Sequence, residues 1–234
     1  MFVFKIKMLG YRSDIIKVIR LAKDKKWDDV FDLIDNFEKE YSVFEALDYV
    51  DINNYDTILH IACKQDINVI IVQKLLKYIS IDTINKYDET VLHSACFKLY
   101  WKDDINNSFN LIKTLIRDGT YSSVNINCFS YLNNSQLSTP LSYVLNQKFS
   151  LQNDKTYKTT LEIIDYLISL GADVNIYPKE FKPNYGYSPF LIAKVNLLRN
   201  SNEYIINIVK HLEKYGGNTS YVKDTYKGVV DSCL

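Results

Sequence analysis

The residues best equipped for chemistry come in two matched pairs. His60 and Cys63 lie three apart in "TILHIAC", and His93 and Cys96 repeat that spacing in "TVLHSAC", 33 residues further on. Residues three apart share one face of a helix, and two His with two Cys form a donor set that zinc accepts as a tetrahedron. Such a site needs all four donors about 2.0–2.3 Å from one ion. Pairs carried on successive packed helices would instead be displaced by about 8–10 Å. The Thr, Leu and Ala at the same offsets have no part in a zinc site, whereas a structural unit written twice accounts for all of them. Structural roles are therefore expected for the four side chains, with both cysteines as small packed residues. Cys128, in "NINCFSY", is the most loop-like thiol, but a nucleophile needs a His partner and none is evident. His211 stands alone on a late helical stretch and is expected to be exposed. The patterns G-x-G-x-x-G, G-x-x-x-x-G-K and G-x-S-x-G do not occur. No catalytic residue, metal or cofactor is expected, and the chain is read as a non-enzyme.

Composition narrows the classes further. The chain has 234 residues, long enough to bury a substantial core. Its 28 Lys+Arg balance 28 Asp+Glu, which argues against a nucleic-acid partner. Apolar runs never approach the 18 residues a membrane helix requires, and "MFVFKIKMLG" is broken by Lys5 and Lys7, so it does not read as a signal peptide. A cytoplasmic location, reduced thiols and a monomer are expected. The 19 Tyr beside only 7 Gly and 4 Pro, with plentiful Ile, Asn and Lys, track AT-rich codons more than any fold.

The elements that must carry these residues repeat. After "Thr57-Ile-Leu-His60-Ile-Ala62-Cys63" and "Thr90-Val-Leu-His93-Ser-Ala95-Cys96" come weaker copies, "Thr139-Pro-Leu-Ser-Tyr-Val" and "Ser188-Pro-Phe-Leu-Ile-Ala193". Each is followed by an apolar helical stretch: "VIIVQKLLKYI" (69–79), "FNLIKTLIRDG" (109–119), "TLEIIDYLISLGADVN" (160–175) and "EYIINIVKHLEKYGGN" (203–218). In the third, Ile164, Leu167 and Ile168 form a buried stripe closed by Gly171. Thr57 and Thr90 sit where a side chain can cap a helix, and Pro140 occupies a tolerated first-turn position. The copies start 33, then 49, then 49 residues apart. The surplus is expected in loops, at 97–108, 146–158 and 195–204 between paired helices and at 120–138 and 176–187 between units.

Taken together these motifs resemble the ankyrin repeat: Thr-Pro-Leu-His-x-Ala-Ala, a helix, Val-Val-x-Leu-Leu, then Gly-Ala-Asp-x-Asn. "Gly171-Ala172-Asp173-Val174-Asn175" matches the closing motif in full, and "VIRLAKDKKWDDVFDLIDNF" (18–37) has the spacing of a first unit without the Thr-Pro-Leu-His element. The resemblance implies an all-α solenoid of about five stacked helix pairs with enlarged loops. Its units lie near 14–53, 54–85, 86–135, 136–184 and 185–219, after an N-terminal extension (1–13) and before a tail or cap (220–234). It also implies that the His of each unit makes structural hydrogen bonds within and between units.

The same resemblance implies a protein partner held on the concave surface made by the finger-like connections and first helices. Aromatics cluster in those connections. Tyr55 and Tyr87 are read as equivalent finger positions; Tyr121, Phe129 and Tyr131 lie in the next connection, and Tyr177, Phe181, Tyr185 and Tyr187 in the one after. Exposed aromatics make good anchors because they offer large area with few rotors to freeze. Trp101, in the first inter-helix insertion, divides between core and contact. Asn175, eight residues after Leu167, resembles the target of an asparaginyl hydroxylase, with turn stabilisation as the simpler role. The composition is similar to that of ankyrin proteins of large DNA viruses, protists and intracellular bacteria, whose targets are often host proteins. The tail "TSYVKDTYKGVVDSCL" is too short for the F-box-like segment of many poxvirus ankyrin proteins, so a ubiquitin-ligase adaptor is not expected. The alternative is an enzyme or zinc-dependent protein with a site in the inter-helix insertions.

Overall fold

The computed structural model describes residues 14–40, 51, 53–65, 67–97, 105–118, 126–132, 136–146, 153–178, 187–200 and 202–219. Helices α1 (14–23) and α2 (Trp27–Glu40) are followed by α3 (Ile58–Lys64) and α4 (Val69–Leu75), then α5 (Val91–Phe97) and α6 (Ile105–Asp118). An antiparallel hairpin follows, β1 (Ser130–Leu132) with β2 (Gln136–Ser138), in register Tyr131 opposite Leu137. Helices α7 (Pro140–Leu145), α8 (Asp154–Ser169), α9 (Pro189–Arg199) and α10 (Glu203–Lys214) come next. Among the described residues, no helix is long and apolar enough to cross a membrane.

Consecutive helices pack as pairs, and the pairs stack in two layers. Helices α3, α5, α7 and α9 follow one another in the inner layer, while α4, α6 and α8 do so in the outer layer. One continuous apolar cluster runs through the stack, from Val18, Ala22 and Trp27 to Ile208 and Leu212. Every residue of 58–63, 91–96 and 140–145 is buried. A seven-residue helix buried all round cannot stand alone; its stability comes from the pairs on either side. Ala62 and Ala95, both fully buried, allow the close approach of inner helices.

Local chemistry sets the ends. Thr57, Thr139 and Ser188 accept the N3 amide at the starts of α3, α7 and α9, and Pro140 and Pro189 fill the first turns. Asn68, Asn153 and Asn202 cap the outer helices α4, α8 and α10. Helices α8 and α10 close on left-handed glycines, Gly171 (φ 94°) and Gly216 (φ 79°). In each, the glycine N–H and the next one bond back to the third- and fifth-preceding carbonyls. Lys25 (φ 61°) plays that part after α1 without a glycine.

One expectation fails here. Residues 105–108, 154–158 and 195–199 were expected as insertion loops, yet they are helical. The outer helices absorb much of the surplus by lengthening, from 7 residues in α4 to 14 in α6 and 16 in α8, and the inner helix α9 takes up 195–199 by reaching 11 residues. Asn153 starts α8 about three turns before Ile164 of the apolar stripe, and Ile105 and Ser108 extend the buried face of α6.

Candidate protein-interaction surface

Each His of the repeated motif ties its unit to the following connection. The Thr57 amide and hydroxyl both lie against His60 Nδ1 (3.3 and 2.9 Å), and His60 Nε2 lies 3.0 Å from the Glu89 carbonyl. A backbone amide can only donate, so Nδ1 accepts and Nε2 carries the proton that Glu89 receives. His93 repeats the scheme with Thr90 (3.1 and 2.9 Å) and the Ser138 carbonyl (3.3 Å). Burial lowers both imidazoles, His93 to about 4, so both are neutral at pH 7. With both ring nitrogens engaged and Cys63 and Cys96 packed in the core, the four side chains serve the stack. Among the described residues, no group of three or more His, Cys, Asp or Glu could hold a metal ion. Cys128 is half-buried, and burial pushes its thiol up to about 11, which keeps it protonated and a poor nucleophile.

Beneath the connections lies a buried ion cluster. Lys64 Nζ donates to both Asp56 oxygens (2.8 Å each) and to Glu89 Oε2 (3.2 Å). Asn85 Nδ2 bridges the same carboxylates, 2.8 Å from Asp56 and 2.6 Å from Glu89. The Tyr143 hydroxyl donates to Glu89 Oε1 (2.9 Å) and accepts from Ser130 Oγ (2.8 Å). Asp56 is 3% exposed and Glu89 8%, so this chain of bonds crosses from the second helix pair to the fourth out of water. Burial pulls Lys64 down, but the two carboxylates outweigh it and hold the ammonium above its usual range. Burial, then the Glu89 carboxylate, drive the Tyr143 hydroxyl far upward. Motif comparison misses the cluster, although one signal is present: an acid stands immediately before the capping Thr in both clear copies.

The connections themselves are hydrogen-bonded side by side. The Lys86 amide donates to the Asn54 carbonyl (3.0 Å), and the Tyr131 amide, on the hairpin, donates to the Tyr87 carbonyl (2.7 Å). Three fingers thus form one platform. Tyr55 is 51% exposed at the first tip. Its expected equivalence to Tyr87 does not hold. Counted back from the caps, Tyr55 (φ 58°) matches Asp88 (φ 56°), because the second clear copy has an additional residue between its Tyr and its Thr. Tyr87 is half-buried, with the Lys86 ammonium 4.9 Å over its ring. Phe129, Tyr131 and Tyr177 are half-buried, and Tyr187 packs partly against the core. Tyr121, Phe181 and Tyr185 lie outside the described residues, as does Trp101.

Asn175 is held at both ends of its amide: Nδ2 donates to the Gly216 carbonyl (2.8 Å), and Oδ1 accepts from the Asn218 amide (3.0 Å). Asn127 does the same one unit earlier, to the Gly171 carbonyl (2.8 Å) and the Asp173 amide (2.9 Å). The second of these was not anticipated, because "NIN" lacks the Gly-Ala-Asp context. His211, expected to be exposed, is partly buried; its Nε2 lies 2.6 Å from Asp165 Oδ1, which also accepts from the Tyr215 hydroxyl (2.9 Å).

No family model matches this sequence, and no curated protein matches it. Among solved structures, the chain is similar to the ankyrin repeat domain of Bcl-3, described as a unique member of the IkappaB protein family. The TM-score is 0.57 at 17% identity, over 86% of this chain and 72% of that one. Stacked helix pairs opened by Thr or Ser caps, His staples between units and paired fingers all fit that likeness: the chain has the ankyrin-repeat fold.

Proposed function

We propose that the chain is a non-enzymatic protein-binding module that engages a partner protein through its fingers. The observation that carries this reading is the platform itself. Three successive fingers are bonded through Asn54, Lys86, Tyr87 and Tyr131 and supported from below by the Asp56–Lys64–Glu89 cluster. A preformed surface loses little freedom on binding, and Tyr55, Tyr87, Phe129 and Tyr131 supply aromatic area on it. The inner helices are buried all round at 58–63, 91–96 and 140–145, so contacts fall to the fingers rather than to those helix faces. Tyr121, Tyr177, Phe181, Tyr185 and Tyr187 belong to the same proposed surface, and the unit boundaries read from the sequence go with it. The AT-rich residue usage supports a viral, protist or intracellular bacterial protein working on a host target in the cytoplasm.

Affinity capture with the full chain, followed by mass spectrometry, tests the module. A specific partner is expected, and Tyr87→Ala with Tyr131→Ala should weaken capture at least about tenfold, the size of effect that loss of one good aromatic anchor produces, with the melting temperature nearly unchanged. Absence of a specific partner, or undiminished capture by the double variant, overturns the assignment. Asn175 belongs to the proposal as a hydroxylation target, although its two bonds to Gly216 and Asn218 support the turn-stabilising role. Mass spectrometry after incubation with an asparaginyl hydroxylase decides between them, since no added oxygen dismisses the modification.

A further inference from the structure

We propose that the Tyr143 hydroxyl is the positioning group of the finger platform, holding the third finger in place against the second; this rests on the fingers being the docking surface. Tyr143 lies on α7 and is 3% exposed, so it cannot itself touch a partner. Counted from the capping Thr or Ser, its position holds Ile61, Ser94 and Ile192 in the other copies. Isoleucine has no polar atom to offer there and the Ser94 hydroxyl finds no partner, so the long phenol is a departure of the fourth copy. Its oxygen stands between two fingers. It donates its one proton to Glu89 Oε1 (2.9 Å), at the base of the second finger, and so can only accept from Ser130 Oγ (2.8 Å), at the base of the hairpin.

The first two fingers are joined without such a go-between. Further out they meet at the Lys86 amide and the Asn54 carbonyl (3.0 Å), and at their bases Asn85 Nδ2 reaches Asp56 directly (2.8 Å). The second finger and the hairpin also meet further out, at the Tyr131 amide and the Tyr87 carbonyl (2.7 Å), but at the base the path runs from Glu89 through Tyr143 to Ser130. Two ties, one above and one below, fix the tilt of a finger, whereas one alone leaves a hinge. The Tyr143 ring is held independently of its oxygen, packed edge-on against His93 (5.2 Å) and Phe97 (5.8 Å). Removing the oxygen therefore subtracts the lower tie and leaves the packing of α7 in place.

The test is amide hydrogen exchange in the full ¹⁵N-labelled chain. Tyr143→Phe keeps the ring and should speed exchange of the Tyr131 amide about tenfold, the size of effect that one lost hydrogen bond produces. The Lys86 amide, between the first two fingers, and the Asp173 and Asn218 amides, at the later turns, should stay within about twofold of wild type, since local opening need not spread to them. Ser130→Ala, which leaves the bond between Tyr143 and Glu89 in place, should repeat that pattern. Both variants should also weaken capture of the protein that mass spectrometry identifies with the wild-type chain, by about threefold or more, because a loosened finger must be ordered on binding. Unchanged Tyr131 exchange in both variants, equal acceleration at Asp173 and Asn218, or undiminished capture by both overturns the proposal. If the wild-type chain captures no partner, the docking reading fails alone, and the exchange pattern still decides whether the hydroxyl positions the hairpin.

Discussion

The second and third helix pairs hold to their successors differently from the way the fourth holds to the fifth. In α3 and α5 a buried His reaches from the inner helix to the next connection, His60 to the Glu89 carbonyl and His93 to the Ser138 carbonyl. Further along, Ser142 and Leu191 stand where those His would be. There the bonds between units lie in the turns, the outer layer and the end of an inner helix, and outer-layer bonds also join the second and third pairs, Gln73 Nε2 to Asp118 Oδ2 (2.9 Å) and Asn107 Nδ2 to the Ile67 carbonyl (3.0 Å). Asn127 and Asn175 clasp the next glycine turn, Asp165 bridges to His211 and Tyr215, and Asn196 Nδ2 reaches the Leu145 carbonyl (2.7 Å). The stacking is the same and both halves have bonds at the wetter rim, but the buried His and the ion cluster fasten the first half in the dry interior as well. Where a bond sits decides what its loss costs, since a stranded buried polar group carries its full desolvation penalty and an exposed one is rescued by water.

The largest effect is expected in the interior half. Lys64→Ala leaves the Asp56 and Glu89 carboxylates buried without their cation and should cost about 3–5 kcal/mol, read by urea unfolding. A loss under about 1 kcal/mol would mean that water reaches the cluster freely. Next comes His93→Ala, which strands the Thr90 amide and the Ser138 carbonyl and opens a gap beside Tyr143, whose ring packs edge-on at 5.2 Å; about 2–3 kcal/mol is expected from the unpaired groups. Asn127→Ala and Asn175→Ala should cost about 1 kcal/mol each, and their sum in the double variant would show that the two turns act independently. The smallest effect is His211→Ala, under about 1 kcal/mol. If the His211 and Lys64 variants proved equally damaging, the contrast between interior and rim would fail.

Acid should act on the interior half as well. The folded-state pKa of His93 is depressed to about 4 from the ordinary 6.5, so the unfolded chain binds more protons between these values. Stability tied to neutral His93 is whole above about pH 6.5 and is lost progressively as pH falls toward 4. His60, lowered by the same burial, adds in the same direction. His93→Gln should flatten this part of the pH–stability curve.

Much of the architecture was legible because the repeat is written in short-range terms: a capping Thr, a His three residues on, a left-handed Gly after the helix. Such signals act within one turn of chain. The Asp56–Lys64–Glu89–Tyr143 cluster was not legible as a unit, because Tyr143 and Glu89 are 54 residues apart in sequence and meet only once three helix pairs are stacked. The pairing of Tyr55 with Tyr87 failed for a smaller reason. Motif alignment fixed on the shared Tyr-Asp dipeptide, whereas backbone geometry counts from the cap. The insertion loops failed because the polar residues before an apolar stripe read as loop, although Asn153 with Thr156, its amide 2.9 Å from the Asn153 side chain, is a helix start.

The unequal lengths of the outer helices, 14, 7, 14, 16 and 12 residues from α2 to α10, bear on how the molecule comes to be. Helix α4, at 7 residues, has too few internal bonds to hold its shape before its neighbours arrive, whereas α6 and α8, at 14 and 16, approach the length at which a helix becomes marginally stable by itself. Assembly should therefore start from the longer outer helices on either side of α4, with the second helix pair ordering late on a template already in place.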